Sequence, residues 1–246
     1  MLPTAAGADQ WDRAVRAARA YANTRSGVIS FAVIDDLGHI HGSRYHEGWY
    51  SASLLKPIIM GTYLNLPSVR DRRLTGAETA LITPMIRRSA DDPASDLFTR
   101  LGIPALDRFG RRTGLTSLRV VGPIWGSTHI TAGGYVRFFR NLLPSIPLKH
   151  RAYALRLLKT IVPEQRWGVP HARPPGWALA FKGGWRAGRG YGRIVNQAAL
   201  LACGLHDVAL TILTDKDPSH VYGTQTVAGV AKRLLRPLRP CAKVRA

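Results

Sequence analysis

Acidic side chains are scarce in this sequence. Fifteen Asp and Glu stand against 35 Lys and Arg, which leaves a formal charge of +20 and a sequence pI near 11.1. Only three of the acids are glutamates, Glu47, Glu78 and Glu164, so chemistry that needs a glutamate has three places to find one. No run of eighteen or more apolar residues occurs, so no membrane-spanning helix is expected. Residues 1–9 lack a basic segment followed by an apolar core, so no signal peptide is expected in the chain as it stands; a protein that stays inside and one that starts after a removed leader read alike here. Repeats and low-complexity segments are absent. Cysteine is nearly absent: Cys203 and Cys241 are compatible with a bridge that ties down the tail or with two free thiols, and neither has a neighbouring His that would activate a nucleophile.

What remains is ordinary for a soluble globular protein: 46% hydrophobic and 20% charged residues in a chain of 246, enough for one large domain or two closely packed lobes. The positive charge invites a nucleic-acid reading. The arginines are scattered, however, densest in the tail from 232 to 245, with no zinc-finger spacing and no RNA-binding aromatic signature. Arg outnumbers Lys, as an arginine-biased genome produces; adhesion to an anionic cell wall or membrane surface is the second account.

Periodicity gives the order of elements. Residues 9–24 carry apolar positions at helical spacing; 27–35 and 39–43 read as strands joined by a turn. A helix carries Ser53, 68–76 reads as a loop and 77–88 as a helix. Another helix is expected to start at Pro93, because proline suits a first turn, and 103–113 reads as one more. Residues 114–131 and 162–176 read as loops, with helices at 132–143 and 149–161 between them. Near the end, 177–182 reads as a short strand interrupted by Gly183-Gly184, then strands at 193–202 and 208–214 and a helix over 220–236. The expected fold class is therefore α+β, an antiparallel sheet assembled from both chain ends and flanked by helices, with an inserted helical lobe. The chain, 1–246, reads as one domain, its α/β lobe formed by 1–50 and 177–246 and its helical lobe by 51–176.

Three stretches carry chemistry. In Ser53-Leu54-Leu55-Lys56, positions three apart share a helix face, so Ser53 Oγ and Lys56 Nζ can meet. A lysine held in a dry site loses basicity and can take the serine proton, and the free N–H groups at a helix start favour developing negative charge. Ser89-Ala90-Asp91 sits at a break between helices, and Lys182-Gly183-Gly184 lies at a strand end before a hairpin. In that order the three stretches resemble the S-x-x-K, S-D-N and K-T-G set of class A β-lactamases and penicillin-binding proteins. The resemblance covers almost the whole chain, including Ser127-Thr128-His129-Ile130-Thr131, which looks like the end of that family's omega loop.

The resemblance implies a Ser53 nucleophile, Lys56 as its base, Ser89 as a proton relay to the leaving nitrogen, and Lys182 as a source of positive potential. It implies an oxyanion hole from the backbone N–H groups of Ser53 and Trp185, and substrate contacts at Asp91, Gly183 and Gly184. It implies no metal and no organic cofactor.

The departures matter equally. Asp91 stands where the family has Asn; facing the site it would bind a cationic or amide N–H group or pair with a lysine, and facing away it, or Asp92, would cap the helix at Pro93. The third motif lacks a hydroxyl, which Arg186, Arg189 or Arg193 could replace, or glycine there is simply tolerated and widens the site. Class A enzymes release their acyl group with an omega-loop glutamate, yet 114–131 contains no Glu or Asp, and Glu164 does not align with the missing base. His39 and His41 alternate on one strand without a third ligand and read as edge-strand residues. Trp177 reads as core, while Trp185 is a candidate to line the cleft.

The functional expectation is a serine acyl-hydrolase or transferase acting on a β-lactam, a D-Ala-ended peptide or a related amide or ester, with weak release of β-lactams. The alternatives are a single-turnover or non-catalytic cell-wall binding domain and a polyanion-binding protein. The expected partner is a small-molecule or peptidoglycan-derived substrate met by a monomer, with an anionic wall polymer on the basic surface and no specific nucleic acid. The resemblance points to secretion or the cell envelope; a cytoplasmic location stays open.

Overall fold

The computed structural model describes residues 5–188 and 190–242. Its central sheet has the strand order β2-β1-β7-β6-β5 and is antiparallel throughout. Here β1 is Val28–Ile34, β2 Ile40–Ser43, β5 Ala178–Ala187, β6 Arg193–Cys203 and β7 His206–Asp215. Strands from both chain ends meet where Phe31 of β1 faces Ile212 of β7. Nearly every residue of β1 and β7 is buried, so both faces of the sheet are covered. Helices α1 (Ala5–Asn23) and α8 (His220–Leu234) pack on each other, and α8 crosses β6 and β7. Helix α5 (Ala132–Leu142), which falls within the expected helical lobe, packs against β1, β6 and β7 through buried side chains such as Tyr135, Phe138 and Phe139.

The remaining helices are α2 (Leu55–Leu64), α3 (Gly76–Arg87), α4 (Asp91–Arg112), α6 (Leu148–Lys159) and the single turn α7 (Val169–Ala172). Local chemistry explains several boundaries. Thr75 and Glu78 form a reciprocal capping box at the start of α3. Thr131 accepts from Gly134 N to cap α5, and Ser219 accepts from Tyr222 N to cap α8. Helix α4 spans two of the expected helices, with the kink at Gly102, whose φ of 70° lies in the left-handed region.

Four expectations need correction. Helix α4 begins at Asp91 rather than Pro93, and its cap position is Ala90, so neither Asp91 nor Asp92 caps it. Gly183-Gly184 does not interrupt the third strand; β5 runs through it to Ala187, because paired β6 supplies the ladder that a glycine pair lacks on its own. The 114–131 loop contains the short strand β4 (His129–Ile130), paired with β3 (Trp49–Tyr50), and a 3-10 turn at Trp125–Ser127. The 162–176 loop contains α7 and a 3-10 turn at Pro163–Gln165. Two-residue pairings and single turns depend on distant partners and leave no periodicity to read.

Cys203 and Cys241 form a disulfide across 38 positions, with Cα atoms 5.8 Å apart. In the chain-entropy picture such a loop closure is worth about 4 kcal/mol. It holds the tail beside Pro175, whose carbonyl accepts from Cys241 N at 2.9 Å.

Candidate active site

Ser53 lies in a one-turn 3-10 helix, Ala52–Leu54, that runs directly into α2. The turn is fixed from three sides. Ser51 N donates to Thr128 O at 2.8 Å, Tyr135 Oη donates to Leu54 O at 2.5 Å, and Asn196 Nδ2 donates to Tyr50 O at 2.8 Å. Ala52, just before Ser53, has a φ of 46°, a left-handed conformation that a non-glycine residue keeps only when its surroundings enforce it. The 3-10 turn brings Lys56 beneath Ser53, and Lys56 Nζ contacts Ser53 Oγ at 3.0 Å.

Ser89 comes from the turn between α3 and α4, also left-handed at φ 58°. Gln165 Nε2 holds that turn by donating to Arg88 O at 2.8 Å. Lys56 Nζ contacts Ser89 Oγ at 3.3 Å as well as Ser89 O, and Lys182 Nζ donates to Ser89 Oγ at 2.8 Å and to Gly183 O at 2.6 Å. Four residues far apart in sequence thus form one hydrogen-bonded chain, Ser53–Lys56–Ser89–Lys182. Both lysines are fully buried. Burial pushes the Lys56 ammonium below the usual lysine range against the opposing pull of Asp91. Lys182 is pushed down further, by burial first and then by the neighbouring charge of Lys56.

Asp91 occupies the first turn of α4, and its Oδ1 accepts from Lys56 Nζ at 2.6 Å. Of the two sequence readings, pairing with a lysine is the one the geometry bears out. The carboxylate holds Lys56 towards its charged form, while burial opposes it.

The glycines of the third motif have a steric reason. A Cβ on Gly184 would lie 2.9 Å from Ser53 N and from Leu54 N, so only glycine lets the edge strand β5 come this close to the Ser53 turn. At Gly183 a Cβ would meet Trp167 Cζ2 at 2.9 Å. The expectation that glycine is merely tolerated and widens the site is therefore overturned, since Trp167 fills that space. Trp167, Trp185 and His220 form a cluster with ring centroids 5.6 to 6.1 Å apart beside the strand.

A cavity of about 270 Å³ opens over Ser53. Helix α4 lines it with Asp91, Ser95, Phe98 and Thr99; residues 123–126 form a second wall; Trp185 and Arg186 of β5 form the third. Lys56, Ser89, Lys182, Gly183 and Gly184 are buried and are not part of this lining. Ser95, Phe98, Thr99 and Trp125 escaped the sequence reading, although 91, 95, 98 and 99 share a helical face once α4 is started at Asp91. Trp125 Nε1 donates to Ser95 Oγ at 3.0 Å, and Arg186 Nη1 donates to Ser127 Oγ at 2.7 Å, tying the second wall to both others.

The other flagged residues lie apart. Glu47 pairs with Arg44, and Glu78 caps α3 while bound to Arg72 and Tyr63, which with burial set aside holds its carboxyl well below the usual range. Glu164 is exposed in the Pro163–Gln165 turn, and none of the three lines the cavity. Trp177 is core. His41 Nε2 contacts Asp35 Oδ2 at 3.0 Å, and among the described residues no group of three or more His, Cys, Asp or Glu could hold a metal. Arg193 pairs through its backbone with Asp217, and Arg189 lies outside the described residues.

The fold has counterparts among solved structures. A β-lactamase from Xanthomonas campestris pv. campestris superposes with a TM-score of 0.79 at 17% identity, over 93% of this chain and 98% of that one. The chain has the fold of this β-lactamase. A class A β-lactamase from Mycobacterium abscessus shares the fold at a TM-score of 0.74 and 22% identity, covering 91% of this chain and 98% of its own. A β-lactamase from Desulfarculus baarsii does so at 0.70 and 23%, covering 95% and 99%. No family model matches the sequence, and no curated protein matches it. The β-lactamase fold is thus kept at identities where side-chain roles must be argued residue by residue.

Proposed function

We propose that the protein is a serine acyl-hydrolase or transferase that works through an ester on Ser53. The observation that carries this reading is the 3.0 Å contact between Lys56 Nζ and Ser53 Oγ in a dry floor. In the proposed step, neutral Lys56 takes the hydroxyl proton as Oγ bonds to the carbonyl carbon. The carbon–nitrogen bond then breaks, and Ser89 Oγ passes a proton to the leaving nitrogen. Lys182 stabilises the developing negative charge. The oxyanion sits between the backbone N–H groups of Ser53 and Trp185, where one donor is worth about 3 kcal/mol. The close approach of Gly184 to Ser53 N supports that assignment.

The substrates proposed are β-lactams, D-Ala-ended peptides or a related amide or ester, handled by a monomer without metal or organic cofactor. Release of a β-lactam acyl group is expected to be weak, because no glutamate lines the cavity. The same acid-free wall at 123–126 favours a second reading, a single-turnover sensor of β-lactams or cell-wall peptides. A secreted or envelope location is supported by the Cys203–Cys241 bridge, since such bonds persist in oxidising compartments. There the +20 charge would favour anionic wall polymers.

Intact mass after incubation with a penicillin tests the reading. A stable adduct that disappears in Ser53→Ala supports an acyl-enzyme with slow release, and turnover without an adduct supports a hydrolase. No reaction with any acyl donor, together with salt-sensitive binding to nucleic acid or teichoic acid, overturns it in favour of a polyanion-binding protein.

A further inference from the structure

We propose that the cavity selects acyl donors that carry a positively charged group on the acyl side, and that Asp91 is the residue that reads this charge. The inference deepens the Ser53 reading and rests on it. Among the described residues Asp91 is the only carboxylate that lines the cavity. Its side chain is 74% exposed, and among the described residues its hydrogen bond is to Lys56 through Oδ1, which leaves Oδ2 to meet a ligand. An Asn here would present a donor and an acceptor; an Asp presents acceptors only, together with a negative charge.

The surroundings suit an ammonium. Phe98 lines the same wall as Asp91, and the Trp125 ring stands opposite, its centroid already 5.0 Å from one ammonium, that of Lys56. Trp125 is held in place by Ser95. A carboxylate flanked by aromatic faces is a favourable setting for a cation. Arg186 on the β5 side is engaged by Ser127 and repels a like charge, which confines the cationic group to the α4 side.

The chain as a whole carries +20 and disfavours the approach of cations. Charges beyond about 10 Å are screened at ordinary salt, however, so the local carboxylate decides once a ligand is in the cavity. A ligand ammonium on Asp91 also competes with Lys56 for that carboxylate. Lys56 is then left to Ser53 Oγ and Ser89, the contacts the acylation step uses.

Ampicillin and benzylpenicillin differ by a single ammonium on the acyl side and serve as the probe pair. The rate of Ser53 adduct formation is read by intact mass for each, in the unmodified protein and in Asp91→Asn. The expected preference for ampicillin is about fivefold, the scale of an exposed ion pair. It should shrink with added salt and fall to about one in Asp91→Asn. Each ratio is taken within one protein, so a general effect of the substitution on Lys56 cancels. An equal rate for both penicillins in the unmodified protein, or an unchanged preference in Asp91→Asn, overturns the inference. If neither penicillin forms an adduct or is turned over, the Ser53 reading fails for penicillins, and calorimetric binding to Ser53→Ala decides the ammonium preference separately. Tighter binding of ampicillin that is lost in Ser53→Ala/Asp91→Asn sustains it, and equal binding of the two overturns it.

Discussion

Behind Ser53, two lysines and a second serine are packed away from solvent with each polar head in contact with another. Across the cavity, residues 121–124 are exposed and carry no acid, and side-chain bonds hold this wall at Val121 N to Thr128 Oγ1, Trp125 to Ser95 and Arg186 to Ser127. The floor has the means to move a proton on and off a serine; the wall has no group to activate water. In a low-dielectric floor every charge and contact is magnified, and small changes there should be costly. On an exposed wall a residue can be exchanged with little strain. On the proposed reading, forming the ester and releasing it should therefore be separable by mutation.

The largest effect should come from the floor. Lys182→Met removes the buried cation without removing its bulk, and adduct formation should fall by roughly a hundredfold or more. Stability should move the other way. Lys182 is held below its ordinary range in the folded protein, so between its folded and unfolded values the unfolded state binds more protons, and stability rises with pH. The Met variant should lose that rise and gain on the unmodified protein as pH falls, which denaturant titrations at several pH values would detect. A variant that acylates normally would remove Lys182 from the chemistry.

Gly184→Ala tests the close approach of β5. Its Cβ would stand 2.9 Å from Ser53 N, so β5 or the Ser53 turn must move, and acylation should fall by about tenfold to a hundredfold. Thermal unfolding checks that the fold survives. An unchanged rate would mean that strand β5 does not set the position of the Ser53 amide.

The wall can be altered in the opposite direction. Ile124 is 61% exposed and lines the cavity, so Ile124→Glu should cost little stability while adding the missing carboxylate. Release of a penicillin adduct, followed by mass over time, should speed up by about tenfold if a general base is what the wall lacks. No change in release would make the absence of an acid irrelevant.

A smaller effect joins floor and wall. Asp91 raises the affinity of Lys56 for its proton, so Asp91→Asn should move the midpoint of the rise in acylation rate to lower pH. A midpoint that stays in place, or moves up, would mean that Lys56 is not the titrating base.

The sequence laid out much of this. Apolar runs bounded by turns located the C-terminal strands, the first of them only as far as Lys182, and helical periodicity located most helices, because a helix that buries one face must repeat at the period of its backbone. Ser53 and Lys56 were legible because positions three apart on a helix meet regardless of the rest of the fold. Composition established that only three glutamates exist, and the structure uses Glu78 as a cap and Glu47 in a surface pair while leaving Glu164 exposed.

Other features were decided only by the assembled chain. Asp91 reads equally well as a cap until Lys56 is brought within 2.6 Å of it. Gly183-Gly184 looks like a strand break until β6 pairs with it and the Ser53 turn and Trp167 occupy the space that side chains would need. The bridge between Cys203 and Cys241 required the tail to return beside β6. Local pattern fixes what a segment does with its own backbone. Which buried groups share a proton, and which glycine must be glycine, depends on contacts between separate segments of the chain, and those exist only once the sheet has closed around the Ser53 turn.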